Sequence, residues 1–227
     1  MKTKIKSRIA AMAAITAFMA AGGLFAWLYG IHDRAADVDP SPISGVIEAD
    51  ETDDGFPAVD WEYWLSVNPD TVAWVTVPGT DIDYPVVQAS PYDPTFYLTH
   101  DVYRSWNPYG CPYLDAGCAE LGVDSPVALM FAHYMNDGSM FSAFASYSDA
   151  SFAQAHGEIL LQTPEEKLRL GVVAADVVDS NREGKRLEFA GDDEFDSWLE
   201  ELLAEADVVL DGDAKADSVK AFCTCSY

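Results

Sequence analysis

Pro126-Val127-Ala128-Leu129-Met130-Phe131-Ala132-His133-Tyr134-Met135-Asn136-Asp137-Gly138-Ser139 is an apolar run that ends on an imidazole and breaks at once into a polar, glycine-containing loop. A short uncharged run bounded by turn residues predicts a buried strand. A strand that ends on a titratable side chain presents it from a rigid element. The last residues, Ala221-Phe222-Cys223-Thr224-Cys225-Ser226-Tyr227, end a second apolar stretch on a thiol. A cysteine attacks a carbonyl as its thiolate and needs a basic or cationic neighbour, a part His133 can play for Cys225. Taken singly, His133 also reads as a structural histidine and Cys225 as an inert buried thiol. The order, histidine before cysteine, departs from papain-like peptidases, in which the cysteine comes first.

Working outward, Val72 to Val77 and Ile82 to Val87 flank the turn Pro78-Gly79-Thr80 and predict a hairpin. Thr95 to His100, Glu158 to Gln162, Leu168 to Val178 and Val219 to Cys225 are further strand candidates bounded by Gly, Pro, Asp or Asn. This inventory is mainly β, mostly antiparallel and barrel-like. Val59, Trp61, Trp64, Leu65 and Val67 have helical spacing and stop at Asn68-Pro69, where proline disfavours helix in the residue before it. Met140 to Tyr147 reads as a short helical stretch. Over Asp193 to Ala206, Phe195, Trp198, Leu199, Leu202 and Leu203 form one apolar face opposite a row of carboxylates, which predicts an amphipathic helix lying on the sheet.

Residues 1–8 carry Lys2, Lys4, Lys6 and Arg8, and residues 9–31 carry no charge. At 1.5 Å per residue the uncharged run is about 35 Å of helix, enough to cross a hydrocarbon layer of about 30 Å. The cationic flank predicts an N-terminus inside and the rest of the chain outside. A cleaved secretory signal ending near Ala20-Ala21-Gly22-Gly23 is the alternative, and it also places the domain outside the cytoplasm. Residues 32–57 are rich in Asp, Glu, Pro and Ser and read as a disordered acidic linker, leaving 58–227 as the folded domain. Beyond residue 31 the chain has 9 basic and 38 acidic residues, a net charge of −29. Such a field repels phosphate backbones and argues against a nucleic-acid partner.

Asn68-Pro69-Asp70-Thr71-Val72-Ala73-Trp74, Gly79-Thr80-Asp81-Ile82-Asp83-Tyr84-Pro85-Val86-Val87-Gln88, Phe96-Tyr97-Leu98-Thr99-His100, His133 to Phe141 and Thr224-Cys225 together resemble, in order, the landmarks of a class B sortase. The resemblance spans residues 58–227. It implies a sortase-type β-barrel with a helix before the strand of the nucleophile. It also implies a membrane-anchored cysteine transpeptidase, without cofactor, that cleaves a C-terminal sorting signal after its threonine and passes the protein to a peptidoglycan-precursor or pilin amine. By position Cys225 is the nucleophile, and His133 is the general acid and then the base. Sortases carry an arginine on the strand after the nucleophile; no residue follows Tyr227, and none of Arg104, Arg169, Arg182 and Arg186 matches that position. The resemblance therefore implies a barrel whose last strand is missing, leaving the strand Val219 to Cys225 with an unpaired edge. Loss of an oxyanion donor costs about 10²- to 10³-fold in rate, so little turnover is expected of these 227 residues. A binding domain that grips the signal without processing it is the alternative.

Cys111 and Cys118 bracket a short loop, and a disulfide between them is plausible outside the cytoplasm. The cysteine spacing does not fit the C-x₂₋₄-C pairs of zinc sites, so no metal is expected. Cys223 shares a strand face with Cys225; it reads as a tolerated small side chain or as a redox cap on the nucleophile. His100 is expected to pack or cap a loop, and His32 and His156 to lie at the surface.

Overall fold

The computed structural model describes residues 54–178 and 185–224. The predicted spanning segment, the acidic linker up to residue 53, His32, Arg182 and Cys225 lie outside the described residues. Among those described, no helix is long and apolar enough to cross a membrane.

Helix α1 (Trp61–Val67) starts where the Asp60 carboxylate accepts the Tyr63 N–H at 3.0 Å, and it buries Trp64. It stops at Asn68, as the following proline predicts. Asn68 is fully buried, and its Nδ2 donates to Tyr97 Oη (2.9 Å) and to the Val102 carbonyl (3.0 Å). Tyr97 Oη in turn donates to Asp70, which pairs with Arg104 at 2.7 Å. Burial, with Asp70 adding to it, pushes the Tyr97 phenol up to about 12, so it stays protonated and keeps donating. This network ties the end of α1 to the segment around Tyr97.

The predicted hairpin is present: β1 (Thr71–Thr76) and β2 (Asp83–Gln88) pair antiparallel. Trp74 Nε1 and Thr76 Oγ1 both donate to Asp83 Oδ1, at 2.6 and 2.8 Å. The main sheet adds β3 (Tyr113–Leu114), β4 (Val127–Phe131), β5 (Glu158–Gln162), β6 (Lys167–Gly171) and, after a separate small ladder of β7 (Ala174–Ala175) and β8 (Val208–Val209), β9 (Val219–Cys223). Its order is β6-β5-β1-β2-β3-β4-β9. The pairs β2–β3 and β4–β9 are parallel and the other four are antiparallel. The end strands β6 and β9 do not pair with each other, so the described strands form a curled half-barrel that stays open at β9, where the expected barrel lacks its last strand.

Alternating side chains put a core on each face of this sheet. Ala73, Val75, Tyr84, Val86, Leu114, Met130, Phe141 and Leu161 fill the concave side, with Phe222 against them. Trp64, Trp74, Val87, Tyr97, Cys111 and Tyr113 fill the convex side, with Leu98 and Phe131 packed on them. Helix α2 (Ala150–Ala155) is capped by the Asp149 carboxylate, and helix α3 (Asp192–Glu205) buries Phe195, Leu199 and Leu203 against Val127, Leu129 and Val219. The predicted amphipathic helix therefore lies on β4 and β9.

Two local expectations are corrected. Thr95 to His100 is not a strand: Phe96–Leu98 forms a 3-10 turn, with Leu98 N–H bonded to the Thr95 carbonyl at 3.0 Å. The stretch 168–178 is broken into β6 and β7. The short helical stretch expected around Met140 to Tyr147 is present as a 3-10 segment, Ser142–Ser148.

Candidate active site

Strand β4 carries Ala128 and Met130 into the concave core and turns Val127, Leu129 and Phe131 to the convex side, where His133 follows two residues further on. Strand β9 runs parallel beside it with Phe131 opposite Cys223, and the Ala132 N–H continues the ladder to the Cys223 carbonyl at 3.2 Å. Both strands therefore leave the sheet at the same end.

The loop after His133 is closed by its own hydrogen bonds. The Phe141 N–H returns to the His133 carbonyl at 3.1 Å. Ser142 Oγ accepts from Met135 N (2.7 Å) and donates to the Ser139 carbonyl (2.6 Å). Met140 has φ 55°, in the left-handed region, which costs a non-glycine residue about 1–2 kcal/mol. Burial of its side chain and the bond from its N–H to Tyr84 Oη at 3.1 Å offset that cost. Partial burial works to raise the Asp137 carboxyl, but hydrogen bonds from Ser139 and from Tyr109 Oη (2.9 Å) outweigh it and hold the group below the usual carboxylate range.

His133 is half-buried, and its Nε2 lies 2.8 Å from the Leu98 carbonyl oxygen. A carbonyl only accepts, so this nitrogen carries the hydrogen, and in the neutral ring Nδ1 holds the lone pair. The two landmarks that supply Leu98 and His133, far apart in the chain, thus meet at the ring. His100 behaves as expected: it stacks on Phe96 at 3.9 Å and its Nδ1 bonds the Phe96 carbonyl at 2.9 Å. His156 is half-buried and stacked on Phe152 at 4.1 Å rather than lying at the surface, because it closes the C-terminus of α2.

Cys111 and Cys118 are free thiols, which corrects the expected disulfide. The two side chains are packed into different cores. Cys111 lies in the convex core with its Sγ 3.8 Å from the Pro85 carbonyl, whereas Cys118 lies in the concave core with its Sγ 3.5 Å from the Val127 carbonyl. The sheet runs between them. Cys223 stands beside Phe131; Lys185, which pairs with Asp115, places its Nζ 5.1 Å from the Phe131 ring. Burial pushes the Cys223 thiol up to about 11, with Lys185 opposing and Asp115 adding to the shift. Burial also pushes the Cys111 thiol well up. Both are therefore protonated at neutral pH, and iodoacetamide at pH 7 is expected to leave them unmodified in the folded chain. Peptide mass mapping should find Cys223 alkylated only as the pH approaches 11; its rapid modification at pH 7 would contradict this.

Sequence reasoning did not find the Leu98 carbonyl or the Lys185–Asp115 pair. A backbone acceptor has no residue-type signal, and Asp115 and Lys185 are 70 positions apart. Among the described residues no three His, Cys, Asp or Glu side chains gather to hold a metal.

No family model matches the chain. It is similar to sortase B of Staphylococcus aureus, 25% identical over 162 residues, covering 70% of this chain and 64% of that protein. It is also similar to sortase B of Listeria monocytogenes, 26% identical over 140 residues, covering 62% and 56%. The chain resembles class B sortases in both sequence and fold. The matches span less than two thirds of the length of these relatives. Its fold is that of a Staphylococcus aureus sortase B–substrate complex (22% identity, 73% of this chain and 76% of that one, TM-score 0.63) and of a sortase B complexed with triglycine (24%, 73% and 76%, TM-score 0.61). In this chain, Arg104, Arg169 and Arg186 pair with Asp70, Glu158 and Glu194.

Proposed function

We propose that the protein is a cysteine transpeptidase of the class B sortase type, held at the outer face of the cell membrane by residues 9–31. Its substrates are secreted proteins with a C-terminal sorting signal, and its acceptor is a peptidoglycan-precursor or pilin amine. The observation that carries this reading is the parallel register of β4 and β9: His133 is two residues beyond Phe131, and Cys225 is two residues beyond Cys223, the residue opposite Phe131. The substrate and triglycine complexes among the similar structures support the two halves of the reaction.

The Cys225 thiolate attacks the carbonyl carbon on the C-terminal side of the signal threonine. The tetrahedral adduct collapses, the C–N bond breaks, and His133 gives a proton to the leaving amine. The resulting thioester is attacked by the acceptor amine, which loses its proton to His133, and the thiolate is released. With Nε2–H engaged by Leu98, Nδ1 is the nitrogen that carries this proton.

A second reading, a domain that grips the signal without turning it over, is supported by the surface ion pairs that engage the three described arginines. Incubation with a peptide bearing an NPQTN or LPXTG signal, together with triglycine, tests the first reading. The expected result is slow formation of a ligated product that carries the peptide up to its threonine. Binding of the peptide with neither product nor acyl-enzyme would favour the second.

A further inference from the structure

We propose that Gly110 is a positioning residue for His133, acting through the carbonyl of Leu98. This rests on the reading of His133 as the proton carrier. Asn107 to Gly110 form a tight turn in which the Gly110 N–H bonds the Asn107 carbonyl at 3.0 Å and the Asn107 N–H bonds the Thr99 carbonyl at 2.9 Å. The turn brings Gly110 down onto the 3-10 turn Phe96–Leu98 with φ +67°. A Cβ at Gly110 would stand 2.4 Å from the Tyr97 oxygen, 2.9 Å from the Leu98 oxygen and 3.1 Å from the Leu98 carbonyl carbon. All three are backbone atoms, and the second is the acceptor 2.8 Å from His133 Nε2.

The turn beneath has little room to yield. Tyr97 O accepts from Cys111 N at 2.9 Å, Thr99 N bonds the Phe96 carbonyl at 3.2 Å, and His100 both stacks on Phe96 and bonds its carbonyl. A side chain at 110 must therefore displace the carbonyls, and with them the acceptor that selects the tautomer and orientation of His133. Gly122 separates this effect from backbone strain: it has a similar φ, +60°, and no atom within 4 Å of its added Cβ.

The test compares the parent chain with Gly110→Asn and Gly122→Asn, since asparagine tolerates left-handed backbone and differs from glycine here mainly in its side chain. The neutral tautomer of His133 is read from its ¹⁵N shifts, alongside kcat and KM for acyl transfer from a signal peptide. The parent is expected to show the Nε2–H form. Gly110→Asn is expected to show mixed tautomers, with kcat about 10²-fold lower, as for a displaced catalytic group, and KM little changed. Gly122→Asn is expected to match the parent in both. A folded Gly110→Asn that keeps the parent tautomer and kcat would overturn the proposal, as would a parent ring protonated on Nδ1. If Gly110→Asn does not fold, Phe96→Ala, which removes the ring under His100, is expected to mix the tautomers in a folded chain; an unchanged tautomer there overturns the proposal. If no variant and no parent transfers acyl groups, the functional reading fails, and the tautomer comparison still decides the role of Gly110.

Discussion

Replacing His133 with alanine is expected to slow acyl transfer by about 10²- to 10⁴-fold relative to the parent, the range for loss of a positioned general acid–base. The fold should survive the change. His133 is half-buried and makes one short hydrogen bond, to a backbone carbonyl, whose net worth is about 1 kcal/mol. The loop behind the ring is closed by backbone and serine bonds that the substitution leaves in place. Chromatographic rates of signal-peptide cleavage and of ligation to triglycine, measured beside thermal unfolding, check this. A His133→Ala chain that keeps the parental rate would remove the imidazole from the mechanism, however well it folds.

Phe141→Ala should produce the largest loss of stability, about 3–5 kcal/mol for a fully buried phenylalanine. The ring is completely buried in the concave core, edge-on to Phe144 at 4.9 Å and to Phe222 of β9 at 6.2 Å. Phe222 also stacks on Phe144 at 5.1 Å. Through this cluster Phe141 holds β9 against the 3-10 segment, and its own N–H fixes the His133 carbonyl. The cavity would therefore loosen both strand ends that carry the chemistry, and kcat should fall with stability. Denaturant unfolding should show the midpoint shift, with thermal midpoints lower by on the order of 10 °C. A loss under about 1 kcal/mol would mean that the cluster is not the packing centre described.

The elements most legible in the sequence were those whose local signals and burial agree. The α3 face at Phe195, Leu199 and Leu203 has both helical spacing and a row of acids opposite, and the observed helix, Asp192–Glu205, begins and ends within a residue of the expected one. The β1–β2 hairpin has its turn glycine, and β5 was recovered residue for residue. Legibility failed where tertiary contacts decide. Tyr113–Leu114 and Val208–Val209 are too short to carry periodicity and exist because a neighbouring strand lies beside them. Thr95 to His100 has strand-like residue types, but Tyr97 is held by Asn68 and Asp70, and His100 folds back on Phe96, which coils the segment.

The candidate site divides in the same way. His133 was marked by its place at the end of an apolar run. That Leu98 O would meet it depends on a turn 35 residues upstream, which no local pattern encodes. Parallel pairing of β4 with β9 is equally non-local, since nothing in either strand names its partner. The separation of Cys111 from Cys118 follows from the short strand β3 and the 3-10 turn Ala116–Cys118 that lie between them, neither of which has a local sequence signal.

The most direct test is the intact mass of the chain after incubation with a sorting-signal peptide and no acceptor amine, followed by peptide mapping. The account predicts a hydroxylamine-labile acyl adduct of the peptide up to its threonine, confined to Cys225 and lost in Cys225→Ala. An adduct carried by Cys223 or Cys111, or cleavage of the peptide that persists in Cys225→Ala, would contradict it.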